Sequence, residues 1–325
     1  MIQNIIVMII GFVFLVKGAD FVIKGAVGIS KRLNLSEMLV GIVLVGIGTS
    51  LPEAIITIDS SLKGESDIIL GNAIGSSICN ILLVIGIAAM IRPMKIDKRL
   101  CKVHLSMSLL TIIVLAVVCN FGNSTSLEIG RVEGIILLII TVLYTIFTFF
   151  EGKNENEDNK AILDEEFEEL EKDNKKMTYL KIFIYLVLGI LGLKYGADFV
   201  VDEAVNIANS FGVSPAVISM TIIAIGTALP EIATSVIASI RKDSDLAVGN
   251  VIGSNIYNIC LLSGIGSIIK PIPYDTSFNS TIIFLMFATI IVMILTNYKN
   301  KRTITRGKGL FLLLLYLGYV INLFA

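Results

Sequence analysis

Apolar residues in this chain do not alternate with polar ones at period 2 or 3.6. They gather in runs of roughly 20 or more, the length that crosses about 30 Å of hydrocarbon as a helix. Ten such spans can be marked, at about 2–30, 37–62, 67–91, 103–121 and 127–149, then 179–208, 214–240, 245–269, 279–297 and 309–324. The pattern predicts an all-α integral membrane protein with ten transmembrane helices. Between the fifth and sixth spans lies the strongly hydrophilic stretch, with eleven acidic residues from Glu151 to Asp173. It divides the chain into a five-helix unit at 1–150, an acidic linker at 151–178, and a second five-helix unit at 179–325. The linker reads as a solvated, partly helical segment; a peripheral calcium-sensing site is the sharper alternative.

The second unit repeats the first. A shift of 178 residues aligns Gly11–Asp97 with Gly189–Asp275 without a gap, and 34 of the 87 positions are identical. Gly48-Thr49-Ser50-Leu51-Pro52-Glu53 recurs as Gly226-Thr227-Ala228-Leu229-Pro230-Glu231. Gly71-Asn72-Ala73-Ile74-Gly75-Ser76 recurs as Gly249-Asn250-Val251-Ile252-Gly253-Ser254. Five spans is an odd number, so the second unit is expected to enter the membrane upside down. Inverted repeats with Gly/Pro-interrupted polar segments at matching positions are the mark of a transporter.

Composition agrees with the membrane class: 55% of residues are hydrophobic and 16% charged, against about 25% charged in soluble domains. A net charge of −1 gives no reason to expect a nucleic-acid partner. Distributing the loops on alternate sides puts twenty Lys and Arg on one side and only Lys63 and Lys270 on the other. The positive-inside rule then places the linker in the cytoplasm and both termini outside. Cys79, Cys101, Cys119 and Cys260 have no metal or disulfide spacing and read as packing residues. The first 16 residues lack a basic start and a cleavage site, so they read as the beginning of the first helix.

Glu53 lies sixteen residues beyond Glu37 and ten before Lys63, and Glu231 sits equally deep in its own span. An ionisable group at that depth costs on the order of 2.5–3.5 kcal/mol, and no structural gain explains accepting that cost twice. Pro52 and Pro230 each remove a backbone donor and crowd the carbonyl four residues back, which should break the helix beside Gly48 and Gly226. Thr49, Ser50 and Glu53 share a helix face, as do Ser76 with Asn80 and Ser254 with Asn258. Such a set offers carboxylate, hydroxyl, amide and carbonyl oxygens, ligands that suit Na⁺ or Ca²⁺ rather than zinc, copper or iron. Two glutamates give about −2, which one Ca²⁺ balances, so competing ions at one site predict exchange. Paired carboxylates also tend to hold a proton, which makes H⁺ an alternative counter-ion. Asn72 and Asn250 read equally as braces of the Gly-rich segment or as ligands. Asp20 and Asp198 read as structural residues, Asp59 lacks an acidic mate, and His104 reads as a solvated interfacial residue.

These duplicated motifs, Gly-Thr-Ser-Leu-Pro-Glu and Gly-Asn-Ala-Ile-Gly-Ser-Ser-Ile-Cys-Asn with their second copies, resemble the cation/calcium exchanger superfamily, above all its prokaryotic sodium/calcium exchangers. The resemblance covers nearly the whole chain, with alpha-repeats at 41–86 and 219–264. It implies alternating access, in which the first and sixth helices slide against a core bundle. It implies Ca²⁺ ligation by Glu53 and Glu231 with the carbonyls of Thr49 and Thr227. It implies Na⁺ ligation by Ser50, Ser76, Ser254 and the carbonyls of Gly46 and Ala224, with Asn80 and Asn258 completing the centre. Ala228 departs from the motif, which more often has serine there, and this puts one sodium ligand in question. Asn258 is acidic in potassium-dependent members, so a neutral residue argues against potassium.

The expected function is therefore a secondary transporter, a sodium/calcium antiporter exporting Ca²⁺, with no cofactor and no catalytic residue. Its partners are Ca²⁺, Na⁺ and the lipid bilayer; oligomeric state is not legible. Rival readings are a calcium/proton exchanger of the same fold, a passive cation channel, and an intramembrane hydrolase with a glutamate dyad.

Overall fold

The two longest helices, α1 (Ile2–Leu33) and α7 (Tyr179–Ser210), run 32 residues each and pack against one another. Glycines on both make the seam: a Cβ on Gly18 would lie 2.6 Å from the backbone nitrogen of Leu193, and one on Gly196 2.7 Å from that of Leu15. Only glycine lets two helix backbones approach this closely. The outward faces carry Ile5, Ile9, Phe12 and Val16 on α1 and Phe183, Leu188 and Leu191 on α7, all exposed, as lipid contact requires.

The computed structural model describes residues 2–33, 35–121, 127–158, 177–212, 224–297 and 302–323. Within them, α2 (Glu37–Thr49) and α3 (Leu51–Lys63) meet at a 45° bend. The break falls on Ser50, whose φ of −82° and ψ of 5° leave the helical range, two residues before Pro52, as the missing proline N–H dictates. The same break falls on Ala228, between α8 (Ala224–Thr227) and α9 (Leu229–Ile240), two residues before Pro230. Ser36 starts α2 by accepting the Leu39 N–H at 3.2 Å, and Gly64 ends α3 with a left-handed φ of 79°.

Two central helices follow these broken ones, α4 (Ser66–Ile91) and α10 (Ser244–Ile269). Of their most apolar windows 72% and 78% is buried, against 28% in α1 and α7, so the core of the molecule is built around them. Each contains a wide π turn at matched positions, Cys79–Val84 and Tyr257–Leu262. The outer helices are α5 (Leu100–Phe121), α6 (Arg131–Asp158), α11 (Phe278–Asn297) and α12 (Arg306–Leu323). Two short antiparallel strand pairs join their flanking loops. β1 (Met94–Lys95) pairs with β4 (Thr303–Ile304), and β2 (Glu128–Ile129) pairs with β3 (Ile272–Pro273).

Among the described residues, eight helices are long and apolar enough to cross a membrane, and the bent pair α2–α3 makes a ninth. Helix α9 is a shorter apolar helix; the first part of the predicted span 214–240 lies outside the described residues. The predicted span 127–149 begins later, at Arg131, because Glu128 and Ile129 are taken into β2, and its helix continues to Asp158. The rest of the acidic linker, 159–176, lies outside the described residues. All four cysteines are buried and unpaired.

His104 corrects the reading of a solvated residue. It is fully buried: its Nδ1 lies 2.9 Å from the Tyr144 hydroxyl and its Nε2 3.0 Å from a Glu151 carboxylate oxygen. Helix α5 opens with a π turn, Leu100–His104, that turns the ring inward onto α6.

Candidate functional site

Glu53 is the third residue of α3 and Glu231 the third of α9, each directly after the proline that breaks the helix. Both are fully enclosed. The last turn of α2, just before Glu53, packs on α9, and Glu231 lies near enough for its charge to act on Glu53. Thr49, Ser50 and Ser254 surround the Glu231 carboxylate. Yet among the described residues none of the four carboxylate oxygens has a hydrogen bond of proper geometry. A buried carboxylate without a partner is costly, and among the described residues the Ser50 hydroxyl and both amide atoms of Asn80 and Asn258 are likewise buried with no hydrogen bond of proper geometry.

The π turns explain where the two asparagines sit. The turn carrying Asn80 packs on α9, the helix of Glu231, and the turn carrying Asn258 packs on α3, the helix of Glu53. Each half therefore supplies an amide to the other half's glutamate helix. A π turn is a recurrent feature of functional sites because it widens the helix at one point.

The remaining predicted oxygens are accounted for individually. Thr49 is the hub on one side: its hydroxyl lies 3.1 Å from the Val45 carbonyl, 3.1 Å from Asn250 Oδ1 and 3.2 Å from Ser254 Oγ. The Gly46 carbonyl accepts from Ser254 Oγ at 3.3 Å and from the Ser50 N–H at 3.2 Å. Ser76 is buried and donates to Asn72 Oδ1 at 3.4 Å, while Asn72 donates to the Glu53 carbonyl at 3.4 Å. Thr227 ends α8, half-buried, and Ala224 opens that helix.

Asn250 makes bracing contacts. It accepts from Thr49 on α2 and donates to Ser235 on α9 at 3.1 Å, tying two helices from different halves. The orphan next to Glu53 on its own helix was not singled out in the sequence. Thr57 lies one turn beyond Glu53, fully buried, and its hydroxyl has no partner among the described residues. The i, i+4 spacing from Glu53 pointed to it, but a threonine in an apolar helix ordinarily bonds back to its own carbonyls, as Thr234 does to Pro230 at 2.8 Å. Asp59 pairs with Lys63 at 2.5 Å, on an exposed face away from this cluster.

The sequence profile of the sodium/calcium exchanger protein family matches residues 3–150 and 181–325. The inner membrane protein YrbG of Escherichia coli is 33% identical over 307 residues, 94% of this chain and 92% of that protein. The sodium/calcium exchanger MaX1 of Methanosarcina acetivorans is 29% identical over 377 residues, covering 99% and 98%. A solved structure of the sodium-calcium exchanger NCX_Mj, soaked with zero Na⁺ and Ca²⁺, superposes with a TM-score of 0.81 at 30% identity, over 99% of both chains. These likenesses place the protein among secondary transporters and remove the hydrolase reading. With both of its halves matched, the chain is a multi-span membrane protein that belongs to the sodium/calcium exchanger family.

Proposed function

We propose that this protein is a sodium/calcium antiporter that exports Ca²⁺ in exchange for Na⁺ by alternating access around Glu53 and Glu231. In this reading the chain makes ten spans in two inverted five-helix repeats, with the linker in the cytoplasm and both termini outside. The observation that carries it is the pair of fully enclosed carboxylates at repeat-related positions, unpartnered and ringed by hydroxyl and amide oxygens. Those atoms were desolvated on folding, and a bare cation returns what water gave. Their formal charge of −2 is balanced by one Ca²⁺ or two Na⁺, so occupancy by one species excludes the other.

Ca²⁺ is held by Glu53 and Glu231 with the carbonyls of Thr49 and Thr227. Na⁺ takes Ser50, Ser76, Ser254 and the carbonyls of Gly46 and Ala224, while Asn80 and Asn258 fill the centre. The test is flux in proteoliposomes. Ca²⁺ movement driven by a Na⁺ gradient is the expected result. Ca²⁺ movement indifferent to Na⁺ but driven by a pH gradient would replace sodium with protons, the alternative that two adjoining buried carboxylates favour.

A further inference from the structure

The 178-residue repeat gives each interface a mate, and the two mates differ. Helix α1 lies along α9. Asp20, in the middle of α1, forms an ion pair with Arg241 at the end of α9 and a second with Lys24 at 2.9 Å. The mates of α1 and α9 are α7 and α3, which hardly touch. The mates of Asp20 and Arg241 are Asp198 and Lys63, and they are not joined. Asp198 is bonded to Lys194 of its own helix at 2.7 Å, and Lys63 to Asp59 of its own at 2.5 Å.

Burial follows the same division. Leu51, Ile55 and Ile58 on α3 are exposed by 41%, 55% and 40%, whereas their mates Leu229, Ala233 and Val236 are covered to intermediate exposure. The face of α9 is thus covered by α1, and the related face of α3 is left uncovered by α7.

We infer that Asp20–Arg241 and Asp198–Lys63 are alternating latches: when α7 closes on α3, Asp198 takes Lys63 while Asp20 and Arg241 part. This rests on the alternating-access reading above. The local pairs make the exchange affordable. Asp20 falls back on Lys24, Asp198 on Lys194 and Lys63 on Asp59, so three of the four latch charges keep a local partner when their latch opens. Arg241 has no such helical partner, because Ile237 stands where its mate has Asp59. Lys63 must give up one carboxylate to gain another, whereas Arg241 gives up none to hold Asp20. The Asp20–Arg241 latch is therefore the stronger, and the face shut by α1 is the resting one.

The test uses full-length protein in liposomes carrying Lys63→Cys and Asp198→Cys, treated with a short bifunctional thiol reagent. The expected result is a minor cross-linked fraction that Asp20→Asn raises by roughly fivefold, the shift a partly exposed ion pair supports. Exchanging the charges, Asp20→Arg with Arg241→Asp, should return it to the starting value, which loss of packing alone would not do. If Asp20→Asn does not fold, Arg241→Gln carries the same comparison. Absence of the cross-link with Na⁺, with Ca²⁺ and without either, or a yield indifferent to residue 20 and 241 charges, overturns the latch. Flux is read separately on protein without the cysteines. A cross-link that obeys these charges with no Na⁺-driven Ca²⁺ movement keeps the latch and removes the ion assignment.

Discussion

Ser50 and Ala228 close the same helix break with nearly the same backbone, φ −82° and ψ 5° against φ −87° and ψ 0°, yet only Ser50 brings a hydroxyl to it. Both side chains are buried, and the Ser50 hydroxyl has no partner among the described residues. Replacing Ala228 with Ser supplies the missing oxygen. The expected effect is a shift of roughly two- to tenfold in the Na⁺ concentration giving half-maximal exchange, since one neutral ligand contributes about 0.5–1.5 kcal/mol. The Ca²⁺ affinity should move less. A sodium titration that superimposes on the parent's would make that hydroxyl irrelevant.

Glu53→Gln and Glu231→Gln should each reduce Ca²⁺ uptake by about 30-fold or more, because removing one charged partner of a buried cation costs about 2–5 kcal/mol. Stability should move the other way. Glutamine removes a buried carboxylate that has no hydrogen bond among the described residues, so the thermal midpoint without cations should hold or rise. Uptake at the parental level in either variant would take that glutamate out of the ion's coordination.

Gly18→Val should destabilise the protein by about 1–3 kcal/mol through overpacking. The atoms in the way are Leu193 N at 2.6 Å and Gly189 O at 2.8 Å, both backbone, so α7 itself must retreat. Gly318 is the control. A Cβ there meets nothing within 4 Å among the described residues, and Gly318→Ala should be neutral or stabilise by up to about 1 kcal/mol. Thermal melts in detergent compare the two; equal midpoints would mean the glycine seam carries no packing.

Asp243 connects α9 to α10 and caps α10 by accepting the Leu246 N–H at 2.9 Å. Burial, and then the charge of Glu37, push its carboxyl well above the usual carboxylate range. A raised value means the folded state holds the proton more tightly than the unfolded chain does. The stability this contributes is present in acid and is lost as pH rises through the raised value. Asp243→Asn keeps the cap but cannot ionise. Parent and variant should melt together in acid and diverge toward alkaline pH, with the parent the less stable; parallel curves would remove Asp243 as the titrating group.

Much of this architecture could be read from local pattern. The spans at 67–91, 245–269 and 279–297 end where α4, α10 and α11 end, because hydrocarbon length and flanking charge act on each segment alone. Pro52 and Pro230 announced the breaks for the same reason, although these fall at Ser50 and Ala228, two residues beyond the expected Gly48 and Gly226. What could not be read depends on partners distant in the chain. The π turns at Asn80 and Asn258 leave no compositional trace, since one added residue per turn changes no hydrophobic period. His104 looked solvated beside a basic loop; only the packing of α5 on α6 sets it against Tyr144 and Glu151. The bond from Thr49 to Asn250 spans 201 residues, and repetition alone says which segments correspond, not which ones touch.

The two strand pairs have a mechanical consequence. Each one stitches a loop of the first half to a loop of the second: the approach to α5 to that of α12, and the approach to α6 to that of α11. Neither stitch includes α1 or α7. Four short strands thus make two backbone ties between the halves. A displacement of α1 and α7 together, joined by their glycine seam, would leave both ties intact.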